Sequence, residues 1–164
     1  MRHAHPEQIL NKNDIERNIT DLGRVQAIAA ADFLADYKID KIIISYATRA
    51  LQTGEIICAK IPAAAVEIIT ELYHEKQEEV LEIFSNQENI HENILVIGHN
   101  PLIYNLALQL ANNNSAQYEF LACSSMTPAQ IIIIDFALLN DWQDLHGQHG
   151  DILEIFIPSE SNLI

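Results

Sequence analysis

The sequence predicts an α/β fold, a three-layer α/β/α sandwich around a mostly parallel sheet, and three observations predict it. Short β-branched runs, of which Lys41–Tyr46 (KIIISY) is typical, are apolar on both faces, the pattern of strands buried between two layers. These runs alternate with segments whose apolar residues recur at helical spacing, which argues for helices covering both faces of the sheet. The 164 residues are 49% hydrophobic and 20% charged, enough for a single domain, 1–164, with a full core.

The elements follow in order. Thr20 caps a helix expected over residues 21–37, with Leu22, Val25, Ala29 and Phe33 as its apolar stripe. Residues 41–46 form the first strand, and 47–59 a helix that stops ahead of Pro62. Residues 65–69 (AVEII) form a second strand, and residues 74–84 a helix with an acidic outer face. Residues 93–97 (NILVI) run into Gly98-His99-Asn100-Pro101 and then a helix from 102 to about 111, with Pro101 in its first turn. Residues 130–136 (QIIIIDF) and 151–157 (DILEIFI) complete a set of at least five strands. There is no internal repeat, low-complexity tract or long linker.

Charge narrows the function. Nine Lys and Arg stand against 23 Asp and Glu, a formal net charge of −14. Such a surface repels nucleic acid and anionic lipid, so neither is expected as a partner. It also repels phosphorylated molecules at long range, so a phosphate site must concentrate the few arginines locally. No apolar run reaches the ~20 residues of a membrane span, and no basic, apolar and cleavage segments open the chain. Cys58 and Cys123 lie among apolar or small residues and are expected as two buried free thiols in a reducing cytoplasm.

Three segments carry chemistry. Arg2-His3-Ala4-His5 opens the chain, and alone it is indistinguishable from a solvated tail. Ser45 to Thr53 (SYATRALQT) sets Arg49 at the start of a helix after a buried strand. A cation there is opposed by the helix dipole unless an anion sits in front of it. Gly98-His99-Asn100-Pro101 sets a histidine at a strand end beside a helix N-terminus. Ligands of open α/β sheets bind outside the carboxyl ends of the strands, where two of these segments lie. The remaining histidines offer less. His146 and His149 (HGQHG) sit in a glycine-flanked stretch that reads as a turn rather than a metal site, and Trp142 reads as a packing residue.

Taken in chain order, R-H-A, then S-x-A-x-R-A-x-Q-T, then G-H-N-P resemble the histidine phosphatase superfamily, the branch that includes the phosphoglycerate mutases. The chain is most similar to the small phosphohistidine phosphatases of the SixA type, since no segment is long enough for the helical lid of the mutases. Residues 16–23 (ERNITDLG) match a segment common in that subgroup, and the last strand before Pro158 is similar too.

The resemblance implies a phosphoglycerate mutase-like fold without the lid. It implies His3 as the nucleophile, with Arg2 and Arg49 clamping the phosphoryl oxygens and His99 donating to one of them. Clustered cations would keep His3 neutral. Arg17 and Asn100 are further substrate-binding candidates, and Glu71 is a candidate general acid. No metal or other cofactor is implied, because arginines and His99 take the Lewis-acid role. A cytoplasmic monomer acting on phosphohistidine in a protein of a phosphotransfer system is the expected function. A phosphomonoesterase acting on a small phosphorylated metabolite is the alternative, and a catalytically impaired phosphate-binding module is the reading from another class.

One feature departs from the family. There the R-H motif ends a central strand, and only Met1 precedes Arg2 here. The expectation is that the N-terminal strand is missing here and that Met1 matches an internal methionine with the start upstream; were the 164 residues the whole protein, His3 would be loosely held.

Overall fold

The computed structural model describes residues 1–8, 13–63, 65–74 and 76–158. Strand β1 (Lys41–Ser45) lies between β2 (Ala65–Ile69) and β3 (Ile94–Ile97), parallel to both. Strands β4 (Ile131–Asp135) and β5 (Asp151–Phe156) form a separate antiparallel pair. The five expected strands are present within a residue or two, and the mostly parallel α/β character holds. The last pair is antiparallel: its connection, residues 136–150, carries a 3-10 turn (Trp142–Leu145) but no α-helix to cross a sheet face and return the chain in parallel.

Alternation along β1 assigns its side chains to two layers. Ile42 and Ile44 point into a core shared with helices α1 (Asp21–Leu34) and α2 (Thr48–Lys60). Ile43 points the other way, toward α4 (Gln77–Ser85) and α5 (Leu102–Leu110). Short helices α3 (Glu71–His74) and α6 (Ala116–Ala122) complete the set among the described residues. Trp142 packs against the second core and donates its indole N–H to the His91 carbonyl at 2.8 Å.

Several expectations are corrected. Thr20 does cap α1, accepting from the Gly23 amide at 3.1 Å, but the helix ends at Leu34, short of Tyr37. Its buried face is Gly23, Ala27, Ala30, Ala31 and Leu34. The expected stripe lies to one side: Leu22 is exposed, and Val25, Ala29 and Phe33 are half-buried. Small residues win that face because α1 sits close to the N-terminal segment. A Cβ on Gly23 would collide with the His5 carbonyl. The helix expected over 74–84 is two helices, α3 and α4, and Glu75 within it lies outside the described residues. The α6 helix, capped by Ser115 accepting from the Tyr118 amide at 3.1 Å, was not anticipated. Both cysteines are free, but Cys123, just beyond α6, is exposed and Cys58 is only half-buried. No helix among the described residues is long and apolar enough to cross a membrane.

Residues 1–4 join the two parts of the sheet. The His3 amide donates to Gly98 O at 3.0 Å, and the Gly98 amide to Met1 O at 3.1 Å. On the opposite side the Arg2 amide donates to Gln130 O at 3.1 Å, and the Ala129 amide to His3 O at 3.0 Å. Below Met1 no ladder links β3 to β4. Between them runs a cavity of about 650 Å³, lined by Ile94, Val96, Leu106, Ile131 and Ile133 among others. The Met1 amine ends the segment at the top of this cavity, donating to Val96 O at 2.8 Å. His3 itself is bonded on both flanks and buried, so the expected loose hold is not what the structure shows.

Candidate active site

The carboxyl ends of β1, β2 and β3 deliver the chemistry-bearing side chains to one place. His3 stands beside Gly98 through the bridge between residue 2 and residue 98. His99 follows β3, and its ring centroid lies 4.9 Å from that of His3. Arg49 reaches in from the first turn of α2, its Nε donating to His3 Nε2 at 3.2 Å.

That contact settles the tautomer of His3. Its Nδ1 lies 2.7 Å from the Ala4 carbonyl, which can only accept, so Nδ1 holds the proton and Nε2 is unprotonated, its lone pair accepting from Arg49 Nε. The His3 pKa is lowered to about 2, by burial first, with the Ala4 bond opposing and His99, Arg49 and Arg2 adding to the fall. The clustered cations thus contribute, as expected, but desolvation is the larger cause. His99 is likewise neutral, held down to about 3 by burial first and then Arg49, with Asp14 opposing. Its Nε2 shares a 2.8 Å bond with Ser45 Oγ at the end of β1.

Arg2 is anchored rather than splayed over the surface. Its Nη1 donates to Met126 O at 2.7 Å, and Asn100 Nδ2 donates to the same carbonyl at 2.9 Å. Burial and the neighbouring Arg49 lower the Arg2 pKa from its usual value. Arg2 Nε and His99 Nδ1 are both buried and make no hydrogen bond within the protein. Buried polar atoms without partners are uncommon and costly, and two of them flank His3 here.

Of the candidates, Arg2, His3, Arg49, His99 and Asn100 converge. Arg17 stands at the rim, donating through Nη1 to Asp14 Oδ1 at 2.7 Å and through Nε to Glu7 O at 2.6 Å. Three of the four arginines in the chain thus serve this one region, the local concentration that an acidic protein needs. Glu71 begins α3 on the exposed rim and accepts from Thr70 Oγ1 at 3.1 Å.

The motifs did not reveal Asp14, Tyr73 or the role of Thr53. Thr53 Oγ1 accepts the Ala4 amide at 3.0 Å and donates to Arg49 O at 2.7 Å, tying the His3 segment to α2. Its place one helical turn beyond Arg49 was the available signal. Asp14 and Tyr73 had none, because they come from separate loops.

The model of the histidine phosphatase superfamily, branch 1, matches residues 1–82, half of the 164. The chain belongs to the histidine phosphatase superfamily. No curated protein matches it significantly. Among solved structures, one described as a phosphohistidine phosphatase SixA from Nakamurella multipartitia superposes with a TM-score of 0.81 at 23% identity, covering 96% of this chain and 93% of the other. A second, described likewise and from Agrobacterium tumefaciens, gives 0.79 at 20% identity over 96% and 95%. The protein histidine phosphatase SixA complexed with tungstate gives 0.78 at 21% identity over 100% and 97%. At these identities the likeness is one of fold, and this superfamily member shares that fold along nearly its whole length.

Proposed function

We propose that the protein is a phosphatase whose His3 takes the phosphoryl group from phosphohistidine in a protein substrate. The observation carrying this reading is the neutral His3 with an unprotonated Nε2, bonded to Arg49 Nε and flanked by the unpartnered Arg2 Nε and His99 Nδ1. His3 Nε2 attacks phosphorus in line while the bond to the leaving nitrogen breaks. Water then attacks the phosphohistidine on His3 and releases phosphate. Arg2 and Arg49 hold the equatorial oxygens, where guanidinium geometry suits paired hydrogen bonds. His99 donates to a third oxygen as negative charge accumulates. Asn100 works through Met126 O as a positioning residue for Arg2, and Arg17 binds substrate at the rim. Arginines and histidines supply the charge stabilisation, so activity without a metal is part of the proposal.

Two features favour a protein substrate. Asp14 and Glu71 are exposed on the rim, so a phosphoryl group can be offered from outside the pocket. The leaving imidazole of phosphohistidine takes a proton from solvent more readily than an alkoxide does, which lessens the need for a buried acid. A phosphomonoesterase would lean on Glu71 as the proton donor, and this second reading has the exposed carboxylate in its favour.

Turnover of phosphoramidate and p-nitrophenyl phosphate in excess chelator tests the chemistry, with His3→Ala alongside. Activity is expected to survive chelation and to vanish in His3→Ala; the reverse of either result rejects the mechanism. A phosphohistidine-bearing protein is expected to give a higher kcat/KM than sugar phosphates. Preference for the sugar phosphates, together with loss of activity in Glu71→Gln, would transfer the assignment to the second reading.

A further inference from the structure

We propose that Asp14 is an internal competitor for the phosphoryl site, whose carboxylate holds the guanidinium groups that substrate must take over. The inference rests on the function proposed above and adds to it a residue that sets which anions reach His3.

Every polar edge of Arg49 is engaged. Its Nη1 donates to Asp14 O at 2.6 Å, its Nη2 to Asp14 Oδ2 at 2.9 Å, and its Nε to His3 Nε2. The same carboxylate accepts from Arg17 Nη1 at 2.7 Å and from the Tyr73 hydroxyl at 2.9 Å. One anionic group thus gathers donors from α2, from α3 and from the segment ahead of α1. A phosphoryl oxygen beside His3 would call on these donors. The helix-dipole argument demanded an anion before Arg49, and Asp14 meets that demand from within the chain.

Asp14 has little structural task besides this one. It lies on a single 3-10 turn, Asp14–Glu16, in which no residue is buried, and about half of its side chain is exposed. Its partners hold its carboxyl below the usual carboxylate range, so it is an anion wherever the protein is folded near neutrality. A phosphoryl group brought up to His3 Nε2 competes there with the bonds that Arg49 Nε and Nη2 now make to His3 and to Asp14 Oδ2. A dianionic phosphoryl group accepts several charge-assisted hydrogen bonds at once and can displace the carboxylate. A singly charged anion gains little over the resident group. The same competition weakens the hold on free phosphate, which favours release of that product.

The test compares the wild type with Asp14→Asn and Asp14→Ala, which are half-exposed changes. Calorimetric titration with inorganic phosphate gives Kd, and steady-state turnover of phosphoramidate gives kcat and KM. Both variants are expected to bind phosphate more tightly, by on the order of tenfold or more, the scale of one charge-assisted contact. The KM is expected to fall and kcat/KM to rise. Weaker or unchanged phosphate binding in both variants would overturn the inference, weaker binding meaning that Asp14 orients the arginines instead. A wild type that binds phosphate and turns over phosphoramidate, with no gain in either variant, sinks the competitor alone. Absence of phosphate binding in all three proteins sinks the site assignment with it.

Discussion

Acidification should destabilise this protein well before its carboxylates titrate, and His3 and His99 are the reason. Both are buried and neutral, with pKa values lowered to about 2 and about 3 from 6.5. An unfolded chain binds a proton at each once the pH passes below that unfolded value, while the folded chain binds none until far lower. The unfolded state then holds more protons, so stability falls as pH falls, from about 6.5 down toward the folded pKa. Going from about pH 7.5 to about pH 5, each histidine loses roughly one and a half decades of proton occupancy advantage, or about 2 kcal/mol. This figure depends on the unfolded titration and is insensitive to the folded value, provided that value stays below about 4. The Met1 amine, buried and lowered to about 5, adds a loss of the same sign, so the informative quantity is a difference between proteins. Urea unfolding of the wild type and of His99→Gln at both pH values supplies it. The glutamine keeps a polar group within reach of Ser45 Oγ but has no proton to gain. The wild type is expected to lose about 2 kcal/mol more than the variant on acidification. Equal losses would show that His99 is protonated or solvated in the folded protein, and the argument for a dry, neutral pocket would go with it.

Two further outcomes follow from the packing. Thr53→Val removes the acceptor of the Ala4 amide and leaves that buried N–H unpaired, so unfolding at neutral pH should show a loss of about 1–3 kcal/mol, and kcat should fall with His3 displaced. Gly23→Ala should gain about 1 kcal/mol of helix propensity and lose more to the collision with the His5 carbonyl; thermal unfolding reads the sign, and stabilisation would contradict the close approach.

The legible parts of this fold were those carried by local pattern. β1 announces itself by residues 42–44 (III) and β3 by Ile94–Ile97, each short and rich in β-branched residues, and β2 (AVEII) by its Val and Ile around Glu67. The face of α1 was misjudged for the opposite reason. Which side of a helix is buried depends on what it meets, and here it meets a backbone at Gly23 that favours small residues over Leu22 and Phe33. The site divides in the same way. Arg2, His3, Arg49 and His99 could be found because each sits in a recognisable segment at a strand or helix end. Asp14 and Tyr73 could not, since each acquires its role only through partners 35 and 59 residues away. The 126–130 segment was equally silent, its contribution being carbonyl and amide groups that every residue possesses.

That silent segment bears on how His3 is held. His3 is fixed on one flank by Gly98, at the end of β3, and on the other by Ala129, just before β4. The Met126 carbonyl holds Arg2 and Asn100 from the same turn, and Ala129 there adopts a left-handed φ of 59°, a conformation that L-residues keep only under constraint. The His3 imidazole is thus placed where two parts of the sheet meet, through backbone bonds to Gly98 on one side and to Ala129 on the other. A shift of the 126–130 turn is therefore transmitted to His3 through the Ala129 amide and to Arg2 through the Met126 carbonyl, without altering any side chain of the candidate site.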